Sequence, residues 1–227
     1  MNKTTTTHLH NNTFTDLHIL FEDNHLIAVH KRAGEPVQPE EGKPESVEEQ
    51  VKKYIKISKQ KPGDVFLGVI HRLDMPVSGI VLLAKTSKAL VRMNEAFKQR
   101  DVEKIYTAVV NGTPHPTKAL LTHYLLRDDS RRITKAFDKE VKGSQRAQLE
   151  YEVVGMQGKN ARLIITLHTG RKHQIRAQLS KIGFPIVGDV KYNAPKPLQD
   201  GGIALCATRL AFTHPVTKEK VMIETTF

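Results

Sequence analysis

The chain has 227 residues, 39% of them hydrophobic, and its 35 Lys and Arg outnumber 24 Asp and Glu to give a formal charge of +11. This length fits one large domain or two small lobes that share a sheet. No stretch approaches the ~20 apolar residues of a membrane span, and a single cysteine excludes an internal disulfide, so we expect a cytoplasmic protein. A domain this basic points to a polyanionic partner, most commonly a nucleic acid.

The first half of the chain is predicted to alternate strands with two helices. Residues 1–16 lack the apolar segment of a signal peptide and predict a polar tail, whereas residues 17–227 are interpreted as one domain. Ser46 and Glu49 form the capping-box pattern at the start of one helix, and Thr86 or Ser87 is expected to cap the other. Short apolar runs predict strands at residues 17–21, 26–30, 65–70, 80–84 and 104–111.

The second half is predicted to contain more strands and one further helix. That helix is expected to begin at residues 169–170, with Ile175, Leu179 and Ile182 on its buried edge. Residues 127–144 are charged and fit either a hairpin or an excursion loop. Strands are predicted at residues 120–126, 147–154, 160–167, 204–212 and 221–227. Few helices and many strands predict an α+β fold with a mixed, mainly antiparallel sheet and flanking helices.

A carboxylate stands between two of the predicted strands, in the stretch GVIHRLDMPVSGIVLLAKT at residues 68–86. Asp74 follows Arg72 by two residues and is flanked by Pro76, Ser78 and Gly79. These are ordinary turn residues, so one interpretation is a plain hairpin turn. The other is a functional carboxylate, since perturbed carboxylates cluster at active sites. Spacing alone leaves both interpretations open.

Several cations are expected near the start of the third helix. Arg171, Lys172 and His173 would face the positive end of the helix dipole, which is unfavourable unless a phosphate or a buried carboxylate lies beside them. Arg176 lies one turn further, near the edge of the buried face, where its fork of donors suits a carboxylate. We therefore predict that Arg176 pairs with Asp74.

Five sequence elements between residues 31 and 192 resemble the motifs of RluA-type pseudouridine synthases, in the same order along the chain, and the likeness spans nearly the whole chain from about residue 17. HRLD at 71–74 followed by SG at 78–79 is similar to the family element HRLD-x-x-(T/S)-S-G. GRKHQIR at 170–176 is similar to GR-x-HQIR, and Gly188, Asp189 and Tyr192 to G-D-x-x-Y. The other two are KRAG at 31–34, which resembles K-P-x-G, and KIYTAVVNG at 104–112, which resembles K-x-Y-x-A-x-V-x-G.

The resemblance implies a pseudouridine synthase fold with a central basic catalytic cleft, and a reaction that converts uridine in RNA into pseudouridine without cofactor or metal. It also implies roles for three residues. Asp74 is the catalytic aspartate, which attacks the ribose, attacks the base or acts through a glycal route. Tyr106 packs on the target base and can shuttle a proton, and Arg176 pairs with the aspartate.

The resemblance further implies that basic side chains contact the RNA backbone. Arg72, Arg171 and Lys172 are the expected phosphate contacts, joined by Lys31 and Arg32 of the first motif. Two positions depart from the family pattern. Arg32 replaces the usual Pro and could alter how the first loop meets RNA, and Val77 replaces a common Thr.

The partner is expected to be ribosomal or transfer RNA that presents an extruded uridine, because an enzyme that rearranges a base must take it out of the stack. Only about sixteen polar residues precede the first predicted strand, too few for the S4 RNA-binding domain that many relatives carry, so a single catalytic domain is expected. The absence of an evident exposed apolar repeat favours a monomer.

Two other functions remain as alternatives. One is an RNA-binding or ribosome-assembly module that has lost catalysis, although Asp74, Tyr106 and Arg176 are all in place. The other is a glycoside hydrolase, which needs a second carboxylate across a cleft. Asp189 is the one motif acid available for that role, and it is interpreted as a structural turn residue. The sequence does not specify which RNA is modified.

Overall fold

The computed structural model describes residues 17–60 and 62–227, and the polar tail predicted at 1–16 lies outside the described residues. Three α-helices are present in these ranges, α1 (Val47–Ser58), α2 (Ser87–Gln99) and α3 (Gln174–Lys181), with a 3-10 helix at Val190–Tyr192. The strands are β1 (His18–Glu22), β2 (Leu26–Lys31), β3 (Gly68–Val69), β4 (Ser78–Ala84), β5 (Glu103–Val110), β6 (Lys118–Asp128), β7 (Ile133–Phe137), β8 (Gln145–Gln157), β9 (Asn160–Leu167), β10 (Leu205–Thr213) and β11 (Lys220–Glu224).

All of these strands form one sheet, in the order β1-β2-β4-β10-β5-β9-β8-β6-β7, with β11 paired to β10 and β3 to β4. The contact between β4 and β10 is parallel, and the other strand pairs of the described region are antiparallel. The predicted α+β class with a mixed, mainly antiparallel sheet is therefore confirmed. The parallel pair joins the strand after Asp74 to the C-terminal part of the sheet.

The helices cover the two faces of the sheet unequally. The larger apolar cluster lies on one face beneath α1 and α3, and a smaller cluster lies on the other face beneath α2. Strand β2 serves both clusters, since Ile27 and Val29 point into the larger one while Leu26 and Ala28 point into the smaller one. A strand buried on both faces needs a continuous apolar run, and LIAV at 26–29 is such a run.

The predicted helix caps are largely confirmed. The Ser46 side chain accepts a hydrogen bond from the backbone N–H of Glu49, and the Glu49 carboxylate accepts one from the backbone N–H of Ser46 at 2.8 Å. The Thr86 hydroxyl caps α2. The prediction for α3 was wrong by one turn. The helix begins at Gln174 after His173, whose φ is +54°, so Arg171 and the two residues after it form a turn in front of the helix.

Two other segments differ from, or refine, the predicted elements. The strand predicted at 65–70 is reduced to Gly68–Val69, and the segment then continues as the loop that carries Asp74. The undecided segment 127–144 forms a hairpin, in which β6 runs through Asp128 and β7 returns antiparallel to it. Among the described residues, no helix combines the length and apolar character needed to cross a membrane.

Candidate active site

Asp74 lies in the loop between β3 and β4, at the first position of a tight turn closed by the Val77 N–H, which donates to the Asp74 carbonyl oxygen at 3.0 Å. The Asp74 side chain is 22% exposed, so it is reachable from solvent yet partly desolvated. After the turn, Gly79 has φ +114°, and a Cβ there would lie 2.4 Å from the backbone of Ala207. Glycine is therefore required where β4 approaches β10 behind the carboxylate.

The main chain of this loop is fixed from two directions. The Met75 carbonyl oxygen accepts hydrogen bonds from the Gly34 N–H at 2.8 Å and from Lys31 Nζ at 3.0 Å. The Pro76 carbonyl oxygen accepts one from the Ile203 N–H at 3.0 Å. The loop is thus attached both to the first motif of the chain and to the segment before β10, so the Asp74 backbone has little freedom to move.

Arg176 reaches Asp74 from α3, as the sequence predicted. Its guanidinium is 5% exposed, and Nη1 donates to Asp74 Oδ2 at 3.1 Å. Nε and Nη2 donate to the two oxygens of Asp189, at 2.7 and 2.9 Å. Burial works against the positive charge, but the bonds to Asp189 and Asp74 outweigh it and raise the pKa of Arg176. Arg176 is therefore a permanent cation. Asp189 fixes the orientation of its guanidinium, and Nη1 donates to Asp74.

Asp189 is more than the structural turn residue that the sequence suggested. Its side chain is 2% exposed and engages the Arg176 fork through both oxygens, a bidentate geometry that fixes the guanidinium plane. Gly188 precedes it with φ +90°, and a Cβ there would meet Leu198 at 2.7 Å. A carboxylate enclosed in this way does not face a cleft, which argues against the two-carboxylate hydrolase.

Tyr106 lies on β5, and the charge of Asp74 acts on it directly. Burial, reinforced by the negative charge of Asp74, raises the pKa of the Tyr106 phenol, so the hydroxyl keeps its proton at neutral pH. The ring is half-buried rather than enclosed. The structure thus brings Asp74, Tyr106 and Arg176 together from a loop, a strand and a helix.

Two further side chains adjoin Asp74. His173 Nε2 is 3.7 Å from Asp74 Oδ2, and its Nδ1 is 2.7 Å from the Tyr192 hydroxyl. That hydroxyl also accepts a hydrogen bond from the Thr134 N–H at 2.8 Å, and the Tyr192 ring lies 4.8 Å from the Arg176 guanidinium. Sequence reasoning assigned neither residue a role, although both occur in the quoted elements GRKHQIR and G-D-x-x-Y.

The imidazole of His173 is neutral at physiological pH. Burial lowers its pKa to about 4, because the opposing pull of Asp74 is offset by the positive charges of Arg176, Lys172 and Lys191. The same balance shows that Lys172 and Lys191 lie close to the site. Lys191 is a basic residue of the rim that the sequence analysis did not single out.

Four of the five predicted RNA contacts lie on the surface. Arg72, Arg171, Lys172 and Arg32 all have exposed side chains. Arg72 Nη1 donates to the Gln38 side chain at 3.2 Å, a contact that water or a phosphate can replace. All four side chains therefore lie where a polyanion could reach them, and Arg32 Nε also lies 3.4 Å from Glu35 Oε1.

Lys31 is a correction to that set. Its side chain is fully buried, and Nζ donates to the carbonyl oxygens of Arg32 and Glu35 at 2.8 Å each and of Met75 at 3.0 Å. An ammonium has three donors, so none is left for an RNA phosphate. Lys31 is a structural cation that holds the Asp74 loop, and its burial lowers its pKa to about 8.

The arrangement has the components of acid–base or nucleophilic chemistry. Asp74 presents a carboxylate held by a fixed cation, the protonated phenol of Tyr106 is close enough to respond to its charge, and Lys172 and Lys191 lie near the site. Within residues 17–60 and 62–227, no cluster of three or more His, Cys, Asp or Glu side chains is placed to bind a metal ion.

Comparison with known proteins identifies the family. The profile of RNA pseudouridylate synthases matches residues 25–181. The dual-specificity RNA pseudouridine synthase RluA of Escherichia coli (strain K12) is 33% identical over 199 residues, covering 87% of each chain. The uncharacterized RNA pseudouridine synthase YhcT of Bacillus subtilis (strain 168) is 28% identical over 217 residues, which span 94% of this chain and 70% of that protein.

The fold is shared with a solved structure. The solved structure of human RNA Pseudouridylate Synthase Domain Containing 4 superposes with a TM-score of 0.76 at 23% identity, covering 92% of this chain and 88% of that one. The profile match, the identity across most of the chain and the shared fold agree with the five sequence elements. The chain belongs to the RNA pseudouridylate synthase family and is an RluA-type enzyme.

Proposed function

We propose that this protein isomerises specific uridines to pseudouridine in ribosomal or transfer RNA, with Asp74 as its catalytic aspartate. In this reaction the bond between N1 and the ribose breaks, the base rotates, and C5 bonds to the ribose in its place. A proton leaves C5 and N1 gains one, so the reaction consumes no other reactant. The observation that carries the proposal is the partly exposed Asp74 carboxylate, held through Oδ2 by a buried arginine.

The role of Arg176 follows from its charge and its confinement. Its Nη1 donates to Asp74 Oδ2 at 3.1 Å, and this hydrogen bond orients the carboxylate that is proposed to act as nucleophile or base. Because Asp189 holds the other donors, Arg176 cannot swing away from Asp74 when the RNA enters. The same geometry serves attack on the ribose, attack on the base and the glycal route equally well.

Tyr106 is proposed to hold the target base. Stacking of a base on an aromatic ring contributes ~1–3 kcal/mol, which offsets part of the cost of extruding the uridine. A second proposed role is proton exchange, in which the Tyr106 phenol, protonated at neutral pH, passes a proton to or from the base as C5 is deprotonated. Both roles require the ring to remain accessible, and its half-buried position is consistent with this.

RNA binding is proposed to use the exposed basic rim. Arg72, Arg171, Lys172 and Arg32 would contact phosphates beside the extruded uridine, and the overall charge of +11 supplies affinity that is independent of sequence. We further propose that residues 17–227 act as one catalytic domain and as a monomer in the cytoplasm. The larger apolar cluster supports the single domain, since it extends from α1 to α3 across the sheet.

The test is Asp74→Asn, which preserves shape and removes the charge. The variant should fold and bind RNA normally, yet form no pseudouridine when incubated with RNA from a strain that lacks the gene. Activity retained in Asp74→Asn would overturn the proposal. A wild-type protein that binds this RNA and leaves it unmodified would favour an inactive RNA-binding module. Comparing pseudouridine maps of the deletion strain and its parent would identify the RNA and the position.

A further inference from the structure

The two oxygens of Asp74 have different surroundings. Arg176 Nη1 donates to Oδ2 at 3.1 Å, and His173 Nε2 lies 3.7 Å from the same atom. Among the described residues, Oδ1 receives no hydrogen bond, and the side chain is 22% exposed. One oxygen is therefore held by the protein, and the other is left for the substrate.

His173 is placed toward Asp74 by an unusual backbone conformation. Its φ of +54° is in the left-handed region, which non-glycine residues adopt at a cost. It stands directly before α3, where a side chain ordinarily caps the helix, yet it makes no capping hydrogen bond. The imidazole is 10% exposed and lies between Asp74 and Tyr192 instead.

The Tyr192 hydroxyl contacts one ring nitrogen of His173, so it bears on which nitrogen carries the proton. The Tyr192 oxygen accepts a hydrogen bond from the Thr134 N–H at 2.8 Å, so its own proton is available to His173 Nδ1 at 2.7 Å. With the Tyr192 proton donated to it, Nδ1 is the acceptor of this contact, and the proton of the neutral ring is then on Nε2. That N–H faces Asp74 Oδ2.

Tyr192 also fixes the second donor. Its ring lies 4.8 Å from the Arg176 guanidinium and is 5% exposed, so it confines the cation from the side that Asp189 does not cover. Tyr192 therefore contacts both His173 and Arg176, the two side chains that lie beside Asp74 Oδ2. Tyr192 is in turn held by Thr134 of β7 in the hairpin. The Thr134 hydroxyl also donates to the Lys172 carbonyl oxygen at 3.0 Å, and this bond links β7 to the turn before α3.

We propose that His173 and Tyr192 are positioning residues for Asp74: Tyr192 holds His173 as the Nε2–H tautomer and aims this neutral donor at Oδ2 beside the charged donor of Arg176, so that Oδ1 is presented to the uridine. The proposal rests on the catalytic role of Asp74. At 3.7 Å the Nε2 contact is longer than a hydrogen bond, and it would shorten as the substrate draws the carboxylate into place, as catalytic hydrogen bonds commonly do. A neutral donor suits this site, because it steadies the carboxylate without adding a second charge that would weaken its nucleophilicity or basicity.

The first experiment is independent of activity. Long-range proton–nitrogen NMR correlations of the full chain labelled with ¹⁵N-histidine report the tautomer of each neutral imidazole. At pH 7, His173 should be neutral with its proton on Nε2, and in Tyr192→Phe the ring should populate both tautomers. A proton on Nδ1, or a protonated ring, in the wild-type protein would overturn the proposal even if Asp74 is catalytic.

The second experiment is a double-mutant cycle measured by single-turnover pseudouridine formation with enzyme in excess over RNA. His173→Ala should slow the reaction about 10- to 100-fold with unchanged RNA affinity, the range expected for a lost hydrogen bond to a charged group. Tyr192→Phe should slow it less, and the double variant should be no slower than His173→Ala. His173→Gln, whose amide can donate from a similar position, should recover most of the rate.

Tyr151→Phe is the matched control. Tyr151 is another buried tyrosine whose hydroxyl makes a structural bond, to the Pro116 carbonyl oxygen at 2.8 Å, and among the described residues it has no hydrogen bond to Asp74, His173 or Arg176. It should lose stability without a change in single-turnover rate. Additive effects of His173→Ala and Tyr192→Phe, or an unchanged rate in His173→Ala, would refute the proposal. If Asp74→Asn remains active, the proposed function fails separately, whatever the tautomer.

Discussion

Two cations are buried beneath the loop of Asp74, and the protein satisfies them in different ways. The Arg176 guanidinium is enclosed by two carboxylates, so its charge is compensated and its pKa is raised. The Lys31 ammonium is enclosed by three neutral carbonyl oxygens, so burial prevails and lowers its pKa to about 8. Arg176 therefore acts on the charge of Asp74, whereas Lys31 acts on the shape of the loop.

The difference reflects the donors that each side chain offers. A guanidinium presents its N–H groups in a rigid plane, which matches a bidentate carboxylate and leaves one donor in a fixed direction. An ammonium is compact and donates in three directions, which matches carbonyls converging from a curved backbone. Exchanging arginine and lysine between positions 176 and 31 would therefore leave hydrogen-bonding groups unsatisfied at both. Substitutions at each position separate the two roles.

Removing the Arg176 charge should have the largest effect. Arg176→Met leaves Asp189 buried without a partner, which costs ~3–5 kcal/mol, and should lower pseudouridine formation at least about 100-fold. Urea unfolding and single-turnover rates measure the two effects. Arg176→Lys restores a charge but not the fork, so it should recover stability more than activity. Wild-type activity in Arg176→Met would show that the cation is not needed by Asp74.

Lys31→Met should act mainly on stability. Three carbonyl oxygens lose their buried donor, and each unsatisfied group costs ~1–3 kcal/mol, partly offset by the removal of a buried charge. We expect a loss of at least about 2 kcal/mol in the free energy of unfolding. In the folded fraction, the catalytic rate should fall less than in Arg176→Met. Lys88→Met, at an exposed position on α2, is the control and should change stability little.

The pH dependence of stability should report the lowered pKa of Lys31. Between pH 8 and 10.5 the unfolded chain binds a proton that folded Lys31 has released. Stability of the wild type relative to Lys31→Met should therefore rise across this window and be constant below it. Unfolding free energies of both proteins, measured at several pH values, provide the check. If this difference in unfolding free energy instead fell as the pH increased, the folded state would raise the pKa of Lys31. The three carbonyl oxygens would then stabilise the ammonium charge more than burial destabilises it.

The smallest change is expected from removing the exposed side chain of Arg171. Arg171→Ala should leave stability within about 0.5 kcal/mol of wild type. It should weaken RNA binding and reduce the slope of log affinity against log salt by ~0.7, the value for one phosphate contact on a single strand. RNA titrations at several salt concentrations test this. An unchanged slope would remove Arg171 from the RNA interface.

The pairing of Arg176 with Asp74 could be predicted because donor chemistry and family motifs agreed on it. The burial of Lys31 could not, since the same motif is basic whether its lysine faces RNA or three carbonyls. Asp189 was underestimated for a similar reason. A Gly-Asp pair is typical of a turn, and Gly188 and Asp189 do form one. The same turn also directs the Asp189 carboxylate inward to Arg176.

Local patterns along the chain were sufficient for most of the strand positions, the α+β class, two helix caps and the identity of the family, because these depend on periodicity, capping chemistry and short motifs. Tertiary structure decided what surrounds the carboxylate. Asp74 and Arg176 are 102 residues apart in sequence, and β7, α3 and the 3-10 helix must meet before Thr134, His173 and Tyr192 form one network. Contacts that depend on how separate elements pack leave no periodic trace in the sequence, so only the folded chain reveals which buried groups hold Asp74 in place.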